Sequence, residues 1–476
     1  MDRDSSVPLY WQLYRQLRQM ILDGRWPPGA RLPASRQLAR EWGVGRVTVT
    51  QAYEQLQAEG YITGRRGAGT FVVDTLPLQK EPSSLTAAKT FAPELSEWGQ
   101  RVAAAGLDAE RSPQTRPLMD FGFGRSFPHI FPYDIWRRLL ARYLSTDDVM
   151  LSRYGSVAGF YPLRQAIASH LARLRGVRCT PEQVVIVSGA QQALDILARL
   201  LLRSHDEVLV ETPGYAAAFE LFRVHGAKVT GLAVDQAGFP VERIPAACRA
   251  RLVFVTPSNQ FPKGGTMPLT RRLALLKWAR ANDALVIEDD YDGELRYRGH
   301  PLAALQGLDD EGRVVYLGTF SKVLFPALRL AYVVLPPALR SPFIQAKGLV
   351  DRGAPTLTQA AVADFITEGH FERHLRRLRN AYGRRRRRLV DALRRYLPGK
   401  VRFSDVEAGL HVMLYLDPAC DEAELVRGAA AAGVGVYPGA PYHLEKPPPP
   451  SILLGFSGLS GAEVEEGVRR LAAVFG

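Results

Sequence analysis

Lys322 lies in Thr319-Phe320-Ser321-Lys322, seven residues before Arg329 in Pro326-Ala327-Leu328-Arg329-Leu330. Upstream is Ile287-Glu288-Asp289-Asp290-Tyr291, and earlier still Ser188-Gly189-Ala190-Gln191-Gln192 joins a strand-like run to a helix-like one. A lysine amine, a carboxylate after an apolar strand and an arginine with hydroxyls suit a cofactor that carries an aldehyde, a ring nitrogen and a phosphate. Pyridoxal phosphate (PLP) is that molecule. In this reading Lys322 is the Schiff-base lysine. Asp289 faces the pyridine nitrogen and keeps it protonated, which makes the ring an electron sink. Tyr291 and Asn259 hydrogen-bond the ring hydroxyl, and Tyr215 stacks on the ring. Ala190 and Gln191 offer backbone N–H groups to the phosphate at a helix N-terminus; Thr319 and Ser321 add hydroxyls and Arg329 a permanent charge. Alone, each piece is weak: a Ser-Lys dipeptide fits a surface ion pair, Asp289 fits a helix cap, and Asn259 fits a turn. Their order and spacing together carry the reading.

Such residues need a scaffold. Apolar runs at Val184–Val187, Glu207–Val210, Leu252–Val255, Leu285–Ile287, Val314–Leu317 and Ala331–Leu335 alternate with helix-like stretches. Runs of this kind imply an α/β fold with a mainly parallel sheet covered on both faces. Ligands collect beyond the carboxyl ends of such strands, where the candidate residues fall. After Pro342 the chain reads as helical and then α+β, a smaller lobe.

The N-terminus has a different pattern. Leu9, Leu13, Leu17, Ile21 and Leu22 recur at helical spacing, and Gly24 with Pro27-Pro28-Gly29 ends that helix. A second helix fits Ser35 to Trp42, Gly43-Val44-Gly45 is a turn, and a third helix fits Arg46 to Glu59. Residues 62–73 read as two strands around a Gly/Arg turn. This is a winged helix-turn-helix over residues 1–75. Arg36 and Arg46 suit phosphates or guanine edges, Thr48, Thr50 and Gln51 suit base edges, and Arg65 and Arg66 sit at the wing. The alternative is a solvated basic face. The net charge of +13 favours an anionic partner, with double-stranded DNA ahead of a membrane surface. Residues 76–116, punctuated by Pro77, Pro82, Pro93 and Pro113, read as a linker with a short helix near Ser96 to Ala105. Residues 117–476 form the body.

Cys179, Cys248 and Cys420 have no metal-ligand spacing, and their odd count argues against a disulfide framework. No metal site is expected. No apolar leader and no run near the roughly 18 residues of a membrane span is visible, so a cytoplasmic protein without membrane association is expected.

Residues 117–476 resemble fold-type I, class I aminotransferases. Tyr154-Gly155-Ser156-Val157-Ala158-Gly159, Ser188 to Gln192, Glu211 to Tyr215, Pro257 to Gly264, Asp289 to Tyr291 and Thr319 to Arg329 carry the likeness. Residues 7–73 resemble a GntR winged helix, through Leu32 to Ala39 and Val44 to Val49. Together they resemble MocR/GabR-type regulators. The resemblance implies a PLP-dependent transcriptional regulator that senses a small-molecule effector (PLP itself, or an amine or amino acid). It also implies a domain-swapped homodimer in which Tyr154 reaches the phosphate in the partner subunit's site. The alternative is an active aminotransferase with an appended DNA-binding domain. Two departures stand out. Gly45 replaces the serine common before the recognition helix. Leu453, in Ile452-Leu453-Leu454-Gly455-Phe456, stands where these aminotransferases carry the arginine that clamps a substrate carboxylate; Arg125 or Arg352 are the candidate substitutes. The run Arg384 to Arg388 reads mainly as a solvated helix face, with a second DNA-contacting patch as the sharper option.

Arg46→Ala is expected to weaken operator binding and lower the slope of log affinity against log salt by about one if Arg46 contacts a phosphate. Unchanged binding after deletion of residues 1–75 would defeat the DNA assignment.

Overall fold

The computed structural model describes residues 2, 5–74, 93–105, 118–125, 128–144, 152–404, 407–444 and 446–475. The chain divides into two compact units, 1–94 and 95–476. Most of the linker expected at 76–116 lies outside the described residues. The exception is a helix, Glu97–Ala104, capped by Ser96, which belongs to the second unit. It is fastened there by Arg101, whose Nε donates to the Val224 carbonyl at 2.8 Å.

In the first unit, helices Leu9–Leu22, Ser35–Trp42 and Arg46–Ala58 precede a hairpin of Ile62–Arg65 and Gly69–Val72. The hairpin pairs Ile62 with Val72 and Arg65 with Gly69. Leu13, Leu17, Ile21, Leu38, Val49 and Leu56 are buried together, so the helical periodicity does build the core. The Ser35–Trp42 helix ends on Gly43 in the left-handed region, φ 65°. Nothing crowds that position, so backbone conformation rather than space calls for glycine.

The second unit is built on a seven-stranded sheet. Its order is Val184–Val187, Ala331–Val334, Val314–Thr319, Leu285–Asp290, Leu252–Val255, Glu207–Thr212, Lys228–Ala233. Only Ala331–Val334 runs antiparallel to its neighbours. The other pairings are parallel. Val184–Val187, Leu252–Val255 and Ala331–Val334 are buried along their whole length, as their continuous apolar runs require. The edge strand Lys228–Ala233 (KVTGLA) has no such run, and only pairing reveals it.

A second, antiparallel sheet of Arg402–Phe403, His411–Tyr415, Ser451–Gly455 and Tyr437–Pro438 forms the smaller lobe. The helix His370–Tyr396 packs against the C-terminal helix Gly461–Val474. A short parallel bridge, Met119–Asp120 with Val434–Gly435, ties the start of the body to this lobe. Among the described residues no helix is long and apolar enough to cross a membrane.

One buried ion pair holds the central strand end in place. Arg175 is 2 % exposed and grips Asp290 with Nε at 2.8 Å and Nη2 at 3.0 Å. It also donates to Ser258 Oγ at 2.6 Å and to the Leu302 carbonyl. The Tyr316 hydroxyl gives Asp290 a further donor at 2.6 Å. Removing one partner leaves an uncompensated charge, so Arg175→Met is expected to cost about 3–5 kcal/mol of stability, and Arg175→Met/Asp290→Leu substantially less. Urea unfolding of the two variants checks this.

Candidate functional site

Five strand or helix ends converge on one cavity of the second unit. Ala190, Gln191, Tyr215, Asp289, Tyr291, Thr319, Ser321, Lys322 and Arg329 all line it, joined by Phe123, Gly189, Thr256, Phe261 and Pro326. Chain topology brings them together, because each follows the carboxyl end of a sheet strand or the turn beyond it.

At one end lies an anion cradle. Strand Val184–Val187 turns through Ser188 and Gly189 into the helix Ala190–Leu201, whose first N–H groups have no intrahelical acceptor. The Gln192 side chain braces this turn by accepting the Ser188 N–H at 2.9 Å. The Arg329 guanidinium lies so close that a Cβ at 189 would meet it at 3.0 Å. Arg329 itself is held left-handed, φ 49°, after the turn Pro326–Leu328. A non-glycine residue in that region is strained, which marks a position fixed by its surroundings. Permanent charge, helix N-terminus and the Thr319 and Ser321 hydroxyls together suit a phosphate dianion.

At the other end stands Asp289. It is buried, and burial first, then the neighbouring Asp290, raises its pKa from 3.8 to about 7. Such a carboxyl suits a cationic ring N–H that would take up its charge. Lys322 lies near, its amine 4.3 Å from the centre of the Phe123 ring. Burial lowers the Lys322 pKa, opposed by Asp292 and Asp289. A larger share of free amine follows, the form that attacks an aldehyde. The donor set therefore fits PLP: cradle for phosphate, acid for ring nitrogen, amine for aldehyde.

Asn259 and Tyr154 are placed otherwise. Asn259 is not among the lining residues; it sits behind Tyr291, with its amide nitrogen donating to Tyr291 Oη at 3.1 Å and to buried Asp292 at 2.7 Å. This geometry makes it an orienter of the Tyr291 hydroxyl. Tyr154 is 89 % exposed and stands off its own chain's cavity.

Leu453 is 1 % exposed. It pairs in register with Met413 on one side and Tyr437 on the other, and it packs with Phe261 and Tyr291. The clamp position is thus sealed within an apolar cluster. Neither candidate substitute lines the cavity. Arg125 is engaged in an ion pair with Asp120, which also accepts the Tyr437 hydroxyl at 2.8 Å. Arg352, φ 56°, is exposed.

Sequence reasoning assigned no role to Phe123, Phe261 or Glu211, although Glu211 and Phe261 lie within stretches that carry the family likeness. Phe123 has no motif and arrives just beyond the Met119–Asp120 bridge, and Phe261 arrives on the 256–265 loop. Glu211 is buried, accepts from Thr256 N at 3.1 Å and Oγ1 at 2.5 Å, and has its pKa raised by burial to about 7. It ties two strand ends under the site.

On the first unit, Arg36, Arg46, Gln51, Arg65 and Arg66 are exposed and Thr48 and Thr50 half-exposed. The Thr50 hydroxyl is turned back to the Arg46 carbonyl at 3.0 Å. Arg65 stacks on Phe71 at 4.8 Å. Val47, unremarked in the sequence, is 70 % exposed on the recognition helix and suits a thymine methyl.

Fold and site define a helix-turn-helix unit joined to an aminotransferase-type body. Residues 9–72 match the family described as bacterial regulatory proteins, gntR family, and residues 130–471 match aminotransferase class I and II. The chain is 40 % identical to the probable rhizopine catabolism regulatory protein MocR of Rhizobium meliloti, over 100 % of this chain and 95 % of that one. It is 33 % identical to the HTH-type pyridoxine biosynthesis transcriptional regulator PdxR of Corynebacterium glutamicum, over 88 % and 85 %. The body is similar to LysN, the alpha-aminoadipate aminotransferase of Thermus thermophilus, solved with N-(5'-phosphopyridoxyl)-L-leucine. That match has a TM-score of 0.70 and 31 % identity, over 75 % of this chain and 91 % of that one. The chain belongs to the MocR-type family of gntR transcriptional regulators, with an aminotransferase class I and II body.

The unfolded Asp289 carboxyl ionises near 3.8 and the folded one near 7. Between those values the folded state holds the extra proton, so this group makes stability fall as pH rises. PLP-free Asp289→Asn should therefore be more stable than the parent at pH 8. The advantage should grow from about pH 4 to 7 and vanish below, while PLP affinity drops. Thermal melts across pH, with PLP titration, check both.

Proposed function

We propose that this regulator controls transcription in the cytoplasm according to the state of its PLP site, and that PLP itself is the effector. The observation that supports this reading is a contrast between two positions. Nine residues suited to PLP line one cavity, while Leu453, which stands where the resemblance puts the carboxylate clamp, is buried.

The cofactor is PLP. When bound, it supplies an aldehyde for a lysine amine and a ring that withdraws electrons. Lys322 holds it covalently, Asp289 keeps its ring nitrogen protonated, and Tyr291 and Asn259 hydrogen-bond the ring hydroxyl. Ala190, Gln191, Thr319, Ser321 and Arg329 hold the phosphate, and Tyr215 stacks on the ring. In a domain-swapped homodimer the exposed Tyr154 completes the phosphate site of the other subunit. The winged helix binds a double-stranded operator through Arg36, Arg46, Thr48, Thr50, Gln51, Arg65 and Arg66. PLP shifts the DNA-binding form only by its differential affinity for the two states. The name of the Corynebacterium relative supports control of vitamin B6 supply. The name of the Rhizobium relative, a probable regulator of rhizopine catabolism, favours a second reading, in which a small molecule from a catabolic pathway is sensed.

Ordinary amino-acid turnover is disfavoured, since losing a bidentate charged clamp removes several kcal/mol of positioning. The purified protein should be yellow with PLP, and Lys322→Ala should abolish that absorbance. Operator affinity should differ between PLP-free and PLP-loaded protein and stay unchanged when an amino-acid and amine panel is added to the loaded form. Equal affinity of the first two, with a response to one amine, would overturn the choice of effector. Steady transfer between an amino donor and a 2-oxo acid would favour an enzyme.

A further inference from the structure

We infer that the body carries its own DNA-phosphate-binding surface, formed by the exposed face of the helix His370–Tyr396. This rests on the regulator reading above but uses none of the winged-helix residues.

The helix contains eleven arginines against two acids, Glu372 and Asp391, a net of +9 in a chain of net +13. It spans 27 residues. Only part of this charge is structural. Arg385 and Arg386 of the five-arginine run are buried, as consecutive residues around a helix demand. Arg385 donates to the Ser457 carbonyl, and Arg379 to the Glu294 carbonyl at 2.6 Å. The remainder faces outward. Arg373, Arg377, Arg384, Arg388 and Arg395 recur along one exposed side at spacings of four and seven residues. At 1.5 Å per residue this row is about 33 Å long, close to one turn of B-DNA at about 34 Å.

Neighbouring elements do not neutralise it. Glu372 is engaged by Arg173 at 2.6 Å and Glu294 faces His170 at 3.6 Å. Glu463 serves the Ser460 cap, and Glu466 serves Arg469 and Arg470. Glu465 reaches Arg395 at 3.9 Å. Among the described residues, Arg376, Arg377, Arg384, Arg387 and Arg388 form no ion pair. Two clefts open along the helix, one lined by Arg296, Arg376, Arg379 and Asn380, the other by Arg384, Arg385 and Arg388. Arginines spread along a row, with no apolar ridge between them, match a polyanion of regular charge spacing, and they contact backbone rather than bases.

The test uses the full-length, PLP-loaded chain and a labelled random-sequence duplex several helical turns long. Binding is measured between about 50 and 200 mM salt. Arg377→Gln/Arg384→Gln/Arg388→Gln should lower the salt slope by about 2 to 3 and weaken low-salt binding at least tenfold, with cofactor absorbance and thermal midpoint unchanged. A charge-matched variant at other exposed arginines of the body, Arg203→Gln/Arg243→Gln/Arg249→Gln, should keep the parental slope. An unchanged slope in the first variant, or an equal drop in both, overturns the inference and leaves the regulator reading standing. If the parent binds neither this duplex nor operator DNA, the regulator reading itself fails.

Discussion

The site depends on how three consecutive carboxylates are shared out at one strand end. Glu288, Asp289 and Asp290 are all buried at the end of the central strand Leu285–Asp290. Side chains alternate along a strand, so Glu288 and Asp290 point one way and Asp289 the other. The two outer acids are satisfied inside the protein. Glu288 accepts the Leu305 and Gln306 N–H groups at 2.8 and 2.9 Å, and Asp290 is gripped by Arg175 and Tyr316. Among the described residues Asp289 has no such partner, and it lines the cavity. A lone buried acid is costly by itself and suits a cationic ligand group. The frame of arginine, tyrosine and backbone donors around its neighbours keeps it aimed.

Behind the lining residues Phe261 and Tyr291, the small lobe follows the reverse principle. Where charge would be needed to hold a carboxylate, the row Tyr437, Leu453, Met413 runs across three strands of the small lobe. An arginine introduced there would enter an aromatic cluster with Phe261 and Tyr291 and meet a heavy desolvation penalty. Under the proposed function, the scaffold would keep the parts that hold a cofactor and lack the charged clamp for an amino-acid carboxylate. Such a division suits a protein whose output is occupancy rather than turnover.

Much of this is legible in the residues. Continuous apolar runs give away the buried parallel strands, and the helical repeat Leu13, Leu17, Ile21 gives away the winged-helix core. The strand-end motifs locate nine cavity residues because chain topology obliges them to meet. What stays hidden has physical reasons. Lys228–Ala233 is an edge strand, only partly buried and interrupted by Gly231, so it shows no continuous apolar run. Phe123 and Phe261 sit in loops, where contacts depend on the tertiary path alone. Arg175 is separated from Asp290 by more than a hundred residues, and no local pattern connects them. Asn259 reads as a ring contact in the sequence, but its hydrogen bonds to Tyr291 and Asp292, more than thirty residues away, leave no local trace. The helix Glu97–Ala104 is legible near Ser96 to Ala105, but its docking on the second unit is not, because the anchor is a backbone carbonyl on another helix, which leaves no sequence trace.

The resting place of the lysine has a mechanical consequence. The Lys322 amine lies on the Phe123 ring and beside Gly124. Those residues closely follow the Met119–Asp120 strand, which is stitched to the small lobe. A Lys322 amine engaged by PLP would give up this contact with Phe123, which lies just beyond a strand paired with the small lobe. Occupancy of the site and packing of that segment would then be coupled through one side chain, with no rigid lever required.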